Sequence, residues 1–136
     1  MNPKRIIIDT DPGIDDSLAI LLALASPEVK LEGLTVVHGN CSAEQGTINA
    51  LSILELAGAG HVPVLTGCGL PLAQPSLLAP ETHGGQGLGY ASLPSPRSQA
   101  RAGHAVDFLI EQVMSNPGEI TLVAIGPLTN VAMALR

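Results

Sequence analysis

Ile6-Ile7-Ile8-Asp9-Thr10-Asp11-Pro12-Gly13-Ile14-Asp15-Asp16 sets four carboxylates within eight positions, directly after three β-branched residues. The isoleucine run has the composition of a strand buried on both faces. Pro12-Gly13 is a turn signal. Asp15 and Asp16 then open an apolar run, Leu18 to Leu24, that predicts a helix. A strand ends, the chain turns, and a helix begins, with acids on both sides of the turn. Neighbouring carboxylates repel, and burial raises their pKa values. A divalent cation relieves both effects, and Ca²⁺ and Mg²⁺ prefer oxygen ligands. The positive end of the helix also tolerates negative charge. The plainer alternative is that Asp15 or Asp16 caps the helix while Asp9 and Asp11 are solvated. Capping accounts for one or two acids and leaves the others unexplained.

Working outward, the rest of the chain reads as alternating strands and helices. Residues 5–9 form a first strand and residues 15–26 a helix, with Leu18, Leu21, Leu22 and Ala25 at helical spacing. Ser26-Pro27 ends that helix. Leu31 to Val37 is a second strand, followed by His38-Gly39-Asn40. Ala43 to Ala57 is a second helix, capped by Ser42 and terminated by Gly58 and Gly60. Val62 to Leu65 is a third strand. A helix from Gly103 to Ser115, a strand from Glu119 to Ile125 and a last helix starting at Gly126-Pro127-Leu128-Thr129-Asn130 complete the pattern. Such alternation predicts an α/β fold: an open, mostly parallel sheet with flanking helices and right-handed crossovers. Residues 66–101 break it, with five prolines and clustered glycines. This stretch reads as one long loop at the edge of a site.

The 136 residues suit one domain. Trp is absent and Tyr90 and Phe108 are the only aromatics, so the core must be aliphatic. A net charge of −6 with no basic patch argues against a nucleic-acid backbone or an anionic membrane as partner. Cys41 and Cys68 lack metal-ligand spacing and suggest no disulfide framework. Neither a secretory apolar segment nor a membrane-length run is present, which makes the cytoplasm the expected compartment. A sheet of about four strands closing on a short helix reads as the N-terminal part of a larger domain.

In open parallel sheets, ligands bind beyond the carboxyl ends of the strands. Asp9–Asp16, His38–Asn40, Thr66–Cys68 and Ile125–Asn130 all fall at such ends and are expected to share one rim. Asn40 offers an amide suited to sugar hydroxyls, or is simply a turn residue after Gly39. His83 is a candidate ligand contact, or a solvated loop residue. From the residues alone, the chain is a Ca²⁺- or Mg²⁺-binding hydrolytic site for a small polar substrate, with a carboxylate as base beside an activated water.

The motif Asp9-Thr10-Asp11-Pro12-Gly13-Ile14-Asp15-Asp16 resembles the signature of the inosine/uridine-preferring nucleoside hydrolases. The resemblance continues through Gly33 to Asn40, Val62 to Gly67, His83 to Gly89, and Ile120 to Asn130. It implies a Rossmann-like nucleoside hydrolase core and Ca²⁺-dependent hydrolysis of a ribonucleoside to ribose and free base. It implies that Asp11 is a metal ligand and the general base, that Asp16 ligates the metal, and that Ile125 contributes its backbone carbonyl. Asp15 and Asn40 would hold ribose hydroxyls, His83 would face the base or its own loop, and Asp9 would support the site without touching the metal. Dimers or tetramers are expected by analogy. Gln86 departs from the acid or threonine common at its position. The family runs on for about as long again, and that part carries the leaving-group acid and another metal-binding Asp. The competing readings are a non-catalytic module that binds ribosides or Ca²⁺, and a Mg²⁺-dependent phosphohydrolase built on Asp9-Thr10-Asp11.

Overall fold

The computed structural model describes residues 2–136; Met1, part of the stretch read for a secretory leader, lies outside the described residues. The elements, in chain order, are β1 (Lys4–Thr10), α1 (Ile14–Ala25), β2 (Val29–Val36), α2 (Ala43–Leu56), β3 (Val64–Thr66), α3 (Pro80–His83), α4 (Ala105–Ser115), β4 (Ile120–Ala124) and α5 (Thr129–Ala134). The strands form one sheet in the order β3-β2-β1-β4. All three pairings are parallel. The expected α/β architecture is therefore the observed one.

The isoleucine run explains the layering. Ile6 and Ile8 join Ile20, Leu34, Val36, Leu51 and Leu54 in one core cluster, on the α1 and α2 side. Ile7 joins Leu65, Ala105, Phe108 and Leu109 in a second cluster, on the α4 side. Alternate residues of a strand point to opposite faces, so a central strand covered on both faces needs apolar residues throughout. Gly33 makes room for the one phenylalanine: a Cβ there would lie 2.9 Å from the Phe108 ring. Register between β1 and β2 slips once, from Ile6↔Leu31 to Ile7↔Gly33, which leaves Glu32 without a partner across the ladder. The bulged Glu32 turns to the Arg5 guanidinium at 2.7 Å.

The structure departs from expectation in three places. The inward face of α1 is not set by Leu18 and Leu22, which are 65% and 69% exposed. Ile20 is fully buried instead, with Leu21, Ala23 and Leu24 packed behind it. An almost wholly apolar helix has no sequence signal for its inward face; here the buried Asp16 fixes the rotation. Second, Pro80–His83 forms a helical turn inside the long loop. Third, Pro127 precedes α5, which begins at Thr129. Ser42 caps α2 as expected, accepting from the Gln45 N–H at 3.2 Å.

The long loop lies against α2 through a polar ladder three residues apart. Asn49 Nδ2 donates to the Gln86 carbonyl (2.7 Å), and Ser52 Oγ to that of Pro94 (3.3 Å). Glu55 Oε1 accepts from the Arg97 and Ser98 N–H groups at 2.8 and 2.6 Å. The loop then returns along β3, where the Arg101 N–H donates to the Val64 carbonyl at 2.8 Å. Among the described residues, no helix is long and apolar enough to cross a membrane. Cys41 and Cys68 are free thiols.

Candidate active site

The turn from β1 into α1 brings the acids to the carboxyl end of the central strand. Asp11 lies just past β1 and is 7% exposed. Its Oδ2 accepts from the Asn40 N–H at 2.9 Å. Two glycines wall it in: a Cβ on Gly39 would overlap its carboxylate, and one on Gly126 would come within 2.8 Å of Oδ1. Burial pushes the Asp11 pKa up to about 6; the charges of Asp16 and Asp15 add to this, and the Asn40 N–H opposes it.

Asp16, on the first turn of α1, is buried and richly bonded. Thr10 Oγ1 donates to its Oδ1 at 2.6 Å. Its Oδ2 accepts from the Gly13 N–H at 3.3 Å and from Asn40 Nδ2 at 3.2 Å. The capping alternative thus holds for Asp16 as geometry, since it satisfies an N–H at the helix start. Capping does not remove it from the cluster. Asp15 is different: its side chain is 83% exposed.

Asn40 braces this cluster. Besides its bond to Asp16, its Nδ2 donates to the Asp11 carbonyl at 2.9 Å. The amide nitrogen is therefore used within the protein. His83, on the last residue of α3, reaches the same rim. Its Nδ1 accepts from the Ile14 N–H at 3.2 Å and lies 4.0 Å from Asp15 Oδ1. An accepting Nδ1 puts the proton of a neutral ring on Nε2. His83 is only 13% exposed, so the solvated-loop alternative does not describe it. Gly13 permits this convergence, because a Cβ there would overlap Asn40 Nδ2 and lie 2.6 Å from His83 Nδ1.

Asp9 is wholly buried behind the rim. Its Oδ1 accepts from Thr35 Oγ1 at 2.6 Å and from Asn130 Nδ2 at 2.8 Å. Its Oδ2 has no hydrogen-bond partner among the described residues. Burial raises its pKa, against the hydrogen bonds from Thr35 and Asn130. A side chain so enclosed cannot attack a phosphoryl group, which removes the phosphohydrolase reading built on Asp9. Ile125 follows β4 and donates its N–H to the Asp9 carbonyl at 2.9 Å.

Among the described residues, no three His, Cys, Asp or Glu side chains are grouped to hold a metal. The oxygens expected to hold a metal are the Asp11 and Asp16 carboxylates and the Ile125 carbonyl, and Gly126, the residue after Ile125, lies against the Asp11 carboxylate. That set fits a hard cation in kind: the donors are oxygens, and no lysine or arginine among the described residues pairs with Asp11 or Asp16. The proximity of Asp15 and Asp16 already raises the Asp11 pKa. A cation would reverse that shift.

Sequence reading missed Thr10, Thr35 and Asn130, the side chains that hold these acids. Thr35 faces Asp9 only because of the β1–β2 register. His38, two residues past the end of β2, is buried, its Nε2 3.0 Å from Thr129 Oγ1. His104 caps α4 by accepting from the Val106 N–H at 3.2 Å.

Residues 6–136 match the family model described as inosine-uridine preferring nucleoside hydrolase. The chain is 48% identical over 134 residues to uridine nucleosidase 1 of Arabidopsis thaliana, covering 98% of this chain and 40% of that protein. It is 43% identical over 136 residues to the inosine-uridine preferring nucleoside hydrolase of Crithidia fasciculata, covering 98% and 43%. The purine-preferring ribonucleoside hydrolase from Gardnerella vaginalis superposes with a TM-score of 0.92 at 39% identity, covering 97% of this chain and 43% of that one. The chain thus spans about two fifths of the relatives it matches. With so nearly the whole of its length aligned, the chain belongs to the inosine/uridine-preferring nucleoside hydrolase family.

Proposed function

We propose that the full-length protein hydrolyses the N-glycosidic bond of ribonucleosides, releasing ribose and free base, with Ca²⁺ held by Asp11, Asp16 and the Ile125 carbonyl. The observation that carries this reading is Asp11 itself: a carboxylate walled by Gly39 and Gly126, oriented by Asn40, and raised to about pKa 6 beside two further acids. A general base works best with a pKa near the operating pH. When bound, the cation would supply positive charge that acidifies an attacking water and helps to hold the sugar.

The residues of this chain do the rest. Asp11 accepts the proton that the water loses as its oxygen bonds to the anomeric carbon. Asp15, exposed at the rim, and Asn40 Oδ1 accept hydrogen bonds from ribose hydroxyls. As the bond to the base breaks, positive charge grows on the sugar, and the clustered carboxylates stabilise it. His83 borders the substrate beside Asp15, and residues 66–101 that carry it form the active-site loop. Assembly as a dimer or tetramer and a role in nucleoside salvage belong to the same proposal.

Ribose release from inosine and uridine by the full-length protein, with calcium and with chelator, tests it. Calcium-dependent release is expected. Release that persists in chelator would remove the metal from the reaction, and no release under either condition would turn the reading toward a riboside-binding module.

A further inference from the structure

Of the motif Gly126-Pro127-Leu128-Thr129-Asn130 only Gly126 enters the chemistry above, as a wall of Asp11, yet Asn130 is wholly buried. Its amide is bonded at both ends. Nδ2 donates to Asp9 Oδ1 at 2.8 Å and to the Val36 carbonyl at 3.1 Å. Oδ1 accepts from the Cys68 N–H at 2.8 Å. One side chain at the start of α5 thus links the ends of β1 and β2 and the segment leaving β3. The same segment is held at its other end, where the Ile125 and Gly126 N–H groups donate to the Asp9 carbonyl at 2.9 and 3.3 Å. Residues 125 and 130 are therefore both bonded to Asp9, one through its main chain and the other through its side chain. Between them, Gly126 packs on the Asp11 carboxylate and Thr129 meets His38. There is no slack around the hub: a Cβ on Gly67 would overlap the Asn130 amide.

We infer that Asn130 is a positioning residue, which acts through Asp9 to hold residues 125–129 so that the Ile125 carbonyl and the Asp11 carboxylate address one cation. This inference rests on the calcium reading proposed above. A main-chain carbonyl has no rotamer of its own, so only the path of its loop can aim it. That loop leaves β4, which pairs with β1, and enters α5. The Asp9–Asn130 bond ties that path to the end of β1, as hydrogen-bond partners behind metal ligands commonly do.

The test is a calorimetric Ca²⁺ titration of the full-length protein, comparing wild type, Asn130→Asp, and Asp9→Asn combined with Asn130→Asp. Asn130→Asp removes both donated bonds and sets a second carboxylate against Asp9. It is expected to weaken Ca²⁺ binding by about 10- to 100-fold. The double variant restores an N–H donor between positions 9 and 130, and is expected to recover affinity to within about threefold of wild type. Asn130→Ser, which adds no charge, makes the same comparison if Asn130→Asp does not fold, and the same direction of loss is expected. A purely structural role would lower the melting temperature of the variants and leave Ca²⁺ affinity unchanged; that result overturns the inference while wild-type binding keeps the calcium reading intact. A wild type that binds no Ca²⁺ overturns both.

Discussion

At the amino ends of the strands, Glu32 and Glu119 share Arg5: its Nε lies 2.7 Å from Glu32 and its Nη1 2.8 Å from Glu119. Lys30 adds a second cation to Glu32 at 2.9 Å. Burial works against the Glu32 carboxylate, but Arg5 and Lys30 hold it below the usual glutamate range. At the carboxyl ends, Asp9, Asp11, Asp15 and Asp16 have no lysine or arginine partner among the described residues. There burial and mutual repulsion raise Asp11 to about 6. The sheet can therefore neutralise its acids and does so at one end only. An end whose charges are matched within the chain is a structural device, while an end left with excess negative charge is built for something that arrives.

The sharpest way to break the contrast is Asp11→Asn, which keeps the shape of the side chain and removes its charge and basicity. In the full-length enzyme, turnover of inosine and uridine should fall about a thousandfold or more. Normal turnover would show that the excess charge has another purpose. Gly39→Ala attacks the same group sterically. Its methyl must displace the Asp11 carboxylate. Calcium affinity measured by calorimetry should drop about 10- to 100-fold.

A pH titration comes next in size. Asp11 must lose its proton to hold a cation, and with a pKa of about 6 it is mostly ionised at pH 7 and mostly protonated at pH 5. Calcium affinity should therefore fall about tenfold over that interval. The effect on the metal-free fold has the opposite sign. Asp11 binds its proton more tightly folded than unfolded, so its contribution to stability is present below about pH 4 and is lost as pH rises through about 6. Urea melts with and without calcium at the two pH values check both signs. The smallest change is expected from Arg5→Gln at the opposite end, which should lower the melting temperature by a few degrees at most and leave calcium affinity untouched. A loss of calcium affinity in that variant would mean the two ends are coupled.

Much of this was legible in the sequence because it is local. The isoleucine run, the Pro-Gly turn and the four acids are contiguous, and Ser42 marks the start of α2 by its own chemistry. The rotation of α1 was not legible, because Leu18 and Leu22 are as apolar as the Ile20 and Leu24 that face inward. What holds the acids was hidden for another reason. Thr35 reaches Asp9 across 26 residues, His38 reaches Thr129 across 91, and Asn130 reaches Asp9 across 121. A threonine or asparagine at a strand end looks the same whether it faces water or a buried carboxylate. Only register and topology distinguish them. The placement of His83 depends likewise on Asn49, Ser52 and Glu55 fastening the loop to α2, a spacing with no meaning until the loop is in place.

In the sheet β1 pairs on one side with β2, which follows it directly in the chain, and on the other with β4, which comes only after β2 and β3. β1 lies between β2 and β4, with Arg5 opposite Ile120. At about 5–20 residues per second, a ribosome needs roughly 6–23 s to travel from one of those positions to the other. Throughout that interval the Ile6–Ile8 ribbon has a bare side, a template for stray pairing with other nascent chains. Asn130 has also yet to emerge, so Asp9 waits without one of its two donors. The acids of residues 9–16 thus gain the Asn130 donor only after residue 130 has been made, and chaperone contact in the meantime would fall most usefully on β1.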